Sequence, residues 1–119
     1  MPDGDSMQLL RLKNDWDFKR VYRYGRTVVS RNIVLYYCLN GLSSNRLGFS
    51  ISKKVGKSVV RNKIKRIYRE AFTRVEKQLC KGYDIVLIVR KPAVDVSFQE
   101  ALKELHNLCR KGKLLSKKQ

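Results

Sequence analysis

The stretch with the strongest chemical character is KKVGKSVVRNKIKRIYREAF, from Lys53 to Phe72. Its lysines and arginines carry charged donors that suit phosphate oxygens, and each arginine presents a planar fork that can bind two oxygens at once. Glu70 is the single acid in the stretch, whereas ordinary exposed helices mix both charges. The pattern predicts a surface that binds a polyanion. The alternative is a solvated charged face, which is what most charge runs are.

Apolar residues recur through this stretch in steps of three and four, which is the period of a helix with one buried face. They are Val60, Ile64, Ile67, Tyr68, Ala71, Phe72, Val75 and Leu79. The polar side chains fall together on a neighbouring flank of the same helix. The predicted polyanion-binding residues are Lys53, Lys54, Lys57, Arg61, Asn62, Lys63, Lys65, Arg66 and Arg69. We expect the helix to begin at Ser58 as N-cap and to run to about Cys80, with Gly82 closing it.

The segments before this helix predict a short helix and a β-hairpin. Asn14 is a good N-cap, and the helix that follows it should present Phe18 and Tyr22 on one face and stop at Gly25. Residues 27–39 read as a strand with an interruption near 30–32. Residues 40–45 have turn chemistry, so we predict that residues 47–52 return as the second strand of a hairpin.

Alternation along these strands separates an apolar face from a mixed one. Leu47, Phe49 and Ile51 point to the core side, and Ser50 and Ser52 point to the other side. Tyr36 shares this polar side. A polar sheet face with an aromatic residue suits a wet ligand cleft, and it suits bare solvent-facing sheet equally well.

The rest of the chain predicts a buried strand and a final helix. The uninterrupted apolar run after Tyr83 indicates a central strand that is buried on both faces and ends at Pro92. Ser97 and Glu100 have the spacing of a capping box, which begins the last helix. Residues 110–119 form a basic tail.

Composition points to one small domain with a polyanionic partner. The 119 residues carry 27 Lys and Arg against 10 Asp and Glu, a net charge of +17. Contacts to phosphate would relieve the self-repulsion of such a chain, so nucleic acid is the leading partner. An anionic membrane is the rival, but no long apolar run is present.

Several other patterns predict little chemistry. Cys38, Cys80 and Cys109 have no zinc-site spacing, and we expect reduced thiols in a cytosolic protein without a signal peptide. Gly56-Lys57-Ser58 resembles the end of a P-loop, but Ile51 stands where that motif needs glycine. No catalytic constellation and no metal site is evident, so we predict no catalytic residue.

The residues from Ser52 to Arg66 resemble the signature of the bacterial ribonuclease P protein component. Its hallmark is Arg-Asn-Arg followed by Ile-Lys-Arg, and this chain has Arg61-Asn62-Lys63 followed by Ile64-Lys65-Arg66. Lys63 departs from the hallmark, because lysine keeps the charge but loses the planar fork. The resemblance extends from about Leu10 to Leu115.

The resemblance implies an α+β fold, a two-layer sandwich of a small mixed sheet and three helices in the order α-β-β-α-β-α. It also implies a left-handed βαβ crossover, although the general rule for such connections is right-handed. We expect a single RNA-binding domain over residues 1–119, with disorder at 1–7 and 116–119.

The resemblance further implies that the protein is a cytoplasmic subunit of an enzyme that removes the 5′ leader of precursor tRNA. It would bind the ribonuclease P RNA through the basic residues, and neither DNA nor a membrane is expected as partner. The RNA would perform the hydrolysis with Mg²⁺, the protein would lower the Mg²⁺ demand, and the protein alone would be inactive. The leader-binding cleft would be lined by Phe18, Tyr22, Arg31, Tyr36, Ser50 and Ser52. The first two of these fit a buried core as well as a cleft.

Two other functions remain open from the residues. A ribosomal RNA-binding or assembly protein would also explain the charge. It would co-purify with ribosomal RNA, whereas a ribonuclease P subunit would co-purify with a single large structured RNA. A small nucleotidase would hydrolyse ATP without RNA.

Overall fold

Five strands and three helices follow one another along residues 10–116, the part of the chain that the computed structural model describes. The strands and helices are β1 (Leu10–Arg11), α1 (Asp15–Tyr24), β2 (Arg26–Val29), β3 (Ile33–Leu39), β4 (Arg46–Ile51), α2 (Ser58–Glu76), β5 (Tyr83–Val89) and α3 (Phe98–Lys111). Short 3₁₀ turns at Lys53–Val55 and Lys91–Asp95 precede the second and third helices.

The five strands form one mixed sheet in the order β1-β4-β5-β3-β2. The apolar strand β5 lies in the centre, as predicted, parallel to β4 and antiparallel to β3. The predicted hairpin of β3 and β4 is therefore wrong, because β5 lies between them. A strand that is apolar on both faces is best placed with a neighbour on each edge, and the turn residues 40–45 do not decide which strands pair.

Residues 27–39 are two strands rather than one. The interruption predicted near 30–32 is a turn that reverses the chain, and it is closed by the Ser30 N–H, which donates to the Ile33 carbonyl oxygen at 2.9 Å. β2 then pairs antiparallel with β3, with Arg26 opposite Tyr37 and Val29 opposite Val34. The hairpin of this sheet is thus β2–β3.

The two faces of the sheet are covered by different helices. Helices α2 and α3 pack on one face, where Tyr68, Phe72 and Leu105 meet the buried side chains of Leu35 and Leu87. Helix α1 packs on the opposite face, and its buried Val21 joins Leu12 and Val86. The α+β class with a mixed sheet and three helices is confirmed. The parallel pair β4 and β5, with α2 between them, forms the expected βαβ unit, and its handedness stays a prediction.

The ends of the helices show where tertiary contacts overrule local signals. The capping box of Ser97 and Glu100 is present at the start of α3. Lys57 rather than Ser58 is the N-cap of α2, and α2 ends at Glu76 rather than near Cys80. Beyond that point Leu79 pairs with Leu115, and the Cys80 N–H donates to the Leu114 carbonyl oxygen, so the chain leaves the helix to pair with the C-terminal segment.

The terminal predictions fall almost entirely outside the described residues. Residues 1–7 and 117–119 are not described. Ser116 is described, and its N–H donates to the Gln78 carbonyl oxygen at 2.7 Å. Within residues 10–116, no helix is long and apolar enough to cross a membrane.

Candidate nucleic-acid interface

The predicted basic residues form one continuous feature, which we call the basic ridge. It runs along the 3₁₀ turn and the exposed flank of α2 and consists of Lys53, Lys54, Lys57, Arg61, Asn62, Lys63, Lys65, Arg66 and Arg69. All nine side chains are exposed or half-exposed. Among residues 10–116, none of them forms an ion pair with an acid. The ridge therefore offers its charge to a partner rather than to the protein itself.

The first turn of α2 is shaped by Gly56 and Arg61. Gly56 follows the 3₁₀ turn and has extended backbone. Glycine is needed there because a Cβ would lie 2.8 Å from Cγ1 of Val60. The Arg61 guanidinium donates to the Gly56 carbonyl oxygen at 3.0 Å and to Oγ of Ser58 at 3.2 Å. Arg61 is thus held against the helix start, where the backbone N–H groups also favour an anion.

An aromatic ring that sequence reasoning placed in the core supports the middle of the basic ridge. The half-buried ring of Phe49 lies under two cations, with its centroid 6.0 Å from Lys65 Nζ and 5.4 Å from Arg69 Cζ. Burial lowers the pKa of Arg69, and the positive charge of Arg11 on β1 lowers it further. Arg11 on the edge strand therefore adds a positive charge near the basic ridge, and the helical pattern had no means to find it.

On the opposite face, three aromatic residues meet between α1 and the sheet. The rings of Phe18 and Tyr22 lie 6.3 Å apart, and Tyr22 meets Tyr36 edge-on at 5.1 Å. Register places Ser50 on the same face as Tyr36, one step further along the sheet. These four residues form what we call the aromatic cleft.

The members of the aromatic cleft differ in how they are packed. Phe18 is half-buried and lies so close to Gly48 that a Cβ there would sit 2.5 Å from its ring. Tyr22 is 38% exposed. Phe18 therefore seals α1 onto the sheet, while Tyr22 and the half-buried Tyr36 present ring surface to the open side.

Beyond α1 the same sheet face is open. Val34, Ile88 and Ser50 form one row across the central strands, and all three are only half-buried. Val34 and Ile88 extend the aromatic cleft as an apolar floor. Val34 is two positions before Tyr36, so strand alternation puts both side chains on this face. The apolar run of β5 had predicted that Ile88 would be buried, whereas its side chain is only half-buried.

The other two residues predicted for the cleft lie at its ends. Arg31 is exposed in the β2–β3 turn. Ser52 follows β4, and its hydroxyl accepts the Lys54 N–H at 3.2 Å, so it caps the 3₁₀ turn of the basic ridge. The structure thus assembles Phe18, Tyr22, Tyr36 and Ser50, and it places Ser52 with the ridge.

Two residues outside the predicted set hold the turn of Arg31 in place. The Arg90 guanidinium donates to the Ser30 carbonyl oxygen at 3.1 Å. The carboxylate of Glu104 on α3 accepts from the Ser30 hydroxyl, from the Asn32 backbone N–H at 3.1 Å and from the Tyr68 hydroxyl at 2.7 Å. Arg90 is exposed and adds a positive charge beside Arg31.

A buried carboxylate anchors α1 to the sheet. Asp84 is fully buried at the start of β5. It accepts from the guanidinium of Arg20 on α1, from Nε and Nη2 of Arg46 at 2.7 Å each, and from Nδ2 of Asn40 at 2.9 Å. Burial by itself would raise the pKa of Asp84, but the hydrogen bonds from Arg46 and Asn40 and the charges of both arginines outweigh burial and lower it. We call these four residues the Asp84 cluster.

The cysteines and the acidic side chains were the other residues considered for chemistry. The three cysteines are unpaired. Within residues 10–116, no group of three or more His, Cys, Asp or Glu side chains is arranged to hold a metal ion.

A family model and individual sequence relatives of this chain all carry the description ribonuclease P. The family model described as Ribonuclease P matches residues 7–113. The ribonuclease P protein component of Caldanaerobacter subterraneus subsp. tengcongensis is 43% identical over 112 residues, which cover 94% of this chain and 97% of that protein. The same component of a Clostridium botulinum strain is 41% identical and covers 86% of this chain and 93% of its own length.

Solved structures agree with the sequence relatives. The RNase P protein of Staphylococcus aureus superposes with a TM-score of 0.81 at 37% identity, covering 89% of this chain and 97% of that one. The RNase P protein of Thermotoga maritima superposes with a TM-score of 0.77 at 35% identity, covering 84% and 96%.

Proposed function

This chain belongs to the ribonuclease P protein family, and from that premise we propose that its two surfaces divide the work of an RNA-processing subunit. The protein is a component of ribonuclease P, a ribonucleoprotein endoribonuclease of tRNA processing. In our proposal the basic ridge binds the RNA subunit and the aromatic cleft binds the single-stranded 5′ leader of precursor tRNA.

The observation that carries this division is the difference between the two surfaces. Within residues 10–116 the ridge residues lack acidic partners, so their charge is available to the phosphates of a folded RNA. The cleft has ring surface at Tyr22 and Tyr36 with an apolar floor, which suits unpaired bases of any sequence. A folded RNA hides its bases in stacks, whereas a leader exposes them.

The cleft and the ridge also adjoin, since Ser52 at the end of the cleft's strand caps the turn that begins the ridge. A leader lying in the cleft would therefore run beside the bound RNA. Holding both partners at one place raises the effective concentration of the cleavage site at the RNA.

We assign the chemistry itself to the RNA subunit. Mg²⁺ would be held by that RNA, and we name no residue of this chain as its ligand. The basic ridge would neutralise phosphate repulsion and so reduce the Mg²⁺ that the RNA needs.

Reconstitution tests this proposal. The protein, the ribonuclease P RNA of the same organism, and the two together are incubated with precursor tRNA across a range of Mg²⁺ concentrations. We expect no cleavage by protein alone, slow cleavage by RNA at high Mg²⁺, and cleavage at lower Mg²⁺ when both are present. Cleavage by protein that survives stringent removal of RNA would overturn it.

A further inference from the structure

The outer face of α1 belongs to neither of the two surfaces described above. The helix turns Phe18, Val21 and Tyr22 toward the sheet, so the opposite side points to solvent. With about 3.6 residues per turn, that side carries a patch that we call the stacking face. It consists of Trp16, Lys19 and Arg23 on the outer side, together with Tyr24, which borders them at the end of the helix, about 100° round from Arg23.

The stacking face combines large open rings with unpaired cations. Trp16 is 76% exposed and Tyr24 is 69% exposed. A single exposed aromatic residue is ordinary, but here two rings flank two cations on consecutive turns. The Arg23 guanidinium lies 5.6 Å from the centroid of the Tyr24 ring, which holds the cation beside an open aromatic face.

The acids of α1 do not cancel this charge. Asp17 forms an ion pair with Arg46 at 3.5 Å on the sheet side of the helix. Asp15 is four positions before Lys19 and lies on the same side of the helix, so it offsets one of the two positive charges at most. Among residues 10–116, Lys19 and Arg23 form no ion pair.

We propose that the stacking face binds unpaired RNA, with bases stacked on Trp16 and Tyr24 and phosphates contacted by Lys19 and Arg23. The net charge of +17 favours a polyanion over an apolar or basic partner. Aromatic rings add affinity only where bases are free to stack, which selects a single strand over a duplex. The two rings are about 12 Å apart along the helix axis, which is enough for each to take a different base.

This site does not depend on the leader cleft, because it lies on the other side of α1. Two sources share the chemistry of unpaired RNA. One is the part of a long leader that extends past the cleft, and the other is an unpaired segment of the RNA subunit.

Trp16 is the only tryptophan of the chain, so its fluorescence reports on this face alone. The intact protein is titrated with oligouridylate and, in parallel, with an RNA duplex of the same length. We expect saturable quenching by the single strand and little quenching by the duplex. Absence of quenching by oligouridylate, or equal quenching by both, would overturn the proposal.

Binding to labelled oligouridylate, followed by anisotropy, tests the side chains. Trp16→Ala and Tyr24→Ala should each weaken binding about fivefold or more. Val94→Ala is the matched control, since Val94 is 44% exposed and lies in the 3₁₀ turn before α3. Unchanged affinity in the Trp16→Ala variant, with normal circular dichroism, contradicts the proposal.

Two further measurements identify the source of the unpaired RNA and distinguish the stacking face from the leader cleft. Precursor tRNAs with long and short leaders, and the RNA subunit alone, identify which source quenches Trp16. The Tyr36→Ala variant should keep the quenching by oligouridylate, so that failure of the leader cleft and failure of the stacking face give different results. A blue shift of Trp16 that appears only with phosphatidylglycerol-containing vesicles, and not with RNA, would assign the face to a membrane and reject the proposal.

Discussion

At the scale of single residues, the buried Asp84 determines how α1 is attached. Arg20 reaches it from α1, and Arg46 reaches it from β4. A buried carboxylate with such partners is expensive to disturb, because removing its charge leaves two arginines facing an uncharged site.

We expect Asp84→Asn to destabilise the fold strongly. The cost should lie toward the lower end of about 3–5 kcal/mol, because both arginines are partly exposed and water can stabilise them. Urea denaturation followed by circular dichroism measures it. Lys81→Ala is the control, since it breaks the exposed pair of Lys81 and Glu76 and should cost less than about 1 kcal/mol. Equal costs in the two variants would show that the cluster contributes little.

The same carboxylate predicts a pH dependence. The pKa of Asp84 is lower in the folded protein than its ordinary value of 3.8. The carboxylate therefore stabilises the fold fully above that value, and this contribution is lost as the pH falls through the folded pKa. Unfolding free energies measured from neutral pH to below pH 4 should fall more steeply for the natural protein than for Asp84→Asn, and parallel curves would contradict this.

Tyr36 tests the cleft at the same scale. We expect Tyr36→Ala to weaken binding of precursor tRNA by about 1–3 kcal/mol and to change binding of mature tRNA little, because only the precursor has a leader. Tyr36 also packs against Tyr22, so thermal melts are recorded beside both affinities. Equal weakening of both tRNA forms in a normally stable variant would reject the cleft assignment.

At the scale of elements, the position of α1 over the sheet is governed by a close contact. Gly48 leaves room for the Phe18 ring, and a Cβ at this position would sit 2.5 Å from it. Ring and helix would then have to shift together, because Val21 and the Asp84 cluster hold the helix at the same face. The width of the aromatic cleft thus depends on a residue that has no side chain.

We predict that Gly48→Ala destabilises the protein by about 1–3 kcal/mol, as overpacking does, and reduces its preference for precursor over mature tRNA. The double-mutant cycle with Phe18→Ala supplies the control. With the ring removed, adding Gly48→Ala should cost little, so the two changes should be clearly non-additive. If the losses in unfolding free energy of the two single variants simply add in the double variant, the cost of Gly48→Ala does not come from contact with the Phe18 ring.

At the scale of the whole molecule, exposed positive charge lies on more than one surface. The basic ridge lies along α2, whereas α3 carries Lys103, Arg110 and Lys111 on its own exposed surface. Net charge alone would attract RNA to either surface, and only a specific interface distinguishes them.

Salt dependence separates these two possibilities. We expect the triple variant of Arg61, Lys65 and Arg66 to Ala to flatten the plot of log affinity against log salt for the RNA subunit. Each lost phosphate contact should reduce the slope by about 0.7–0.9. The triple variant of Lys103, Arg110 and Lys111 to Ala removes the same charge and should leave the slope nearly unchanged. Equal effects would mean that RNA binding follows net charge and not the ridge.

Local patterns in the sequence determined the helices, their faces and the ridge. The 3.6-residue period places Arg61, Lys65 and Arg69 on one flank of α2, and the capping box of Ser97 begins α3 where predicted. The interactions behind these patterns join residues within one or two helical turns, so they form in the same way whatever the rest of the chain does. The motif from Arg61 to Arg66 likewise needs only neighbouring positions, which is why the family was evident before the structure.

Tertiary structure alone decided which strands are neighbours and which buried groups meet. The turn at 40–45 looks like a hairpin, yet β5 pairs with both β3 and β4, because its two apolar faces and two edges require partners from distant parts of the chain. Asp84, Arg20 and Arg46 are similarly far apart in sequence and meet only through that pairing. The physical reason is that period, capping and charge are local, whereas strand order and the burial of a charge depend on the free energy of the whole packed sheet.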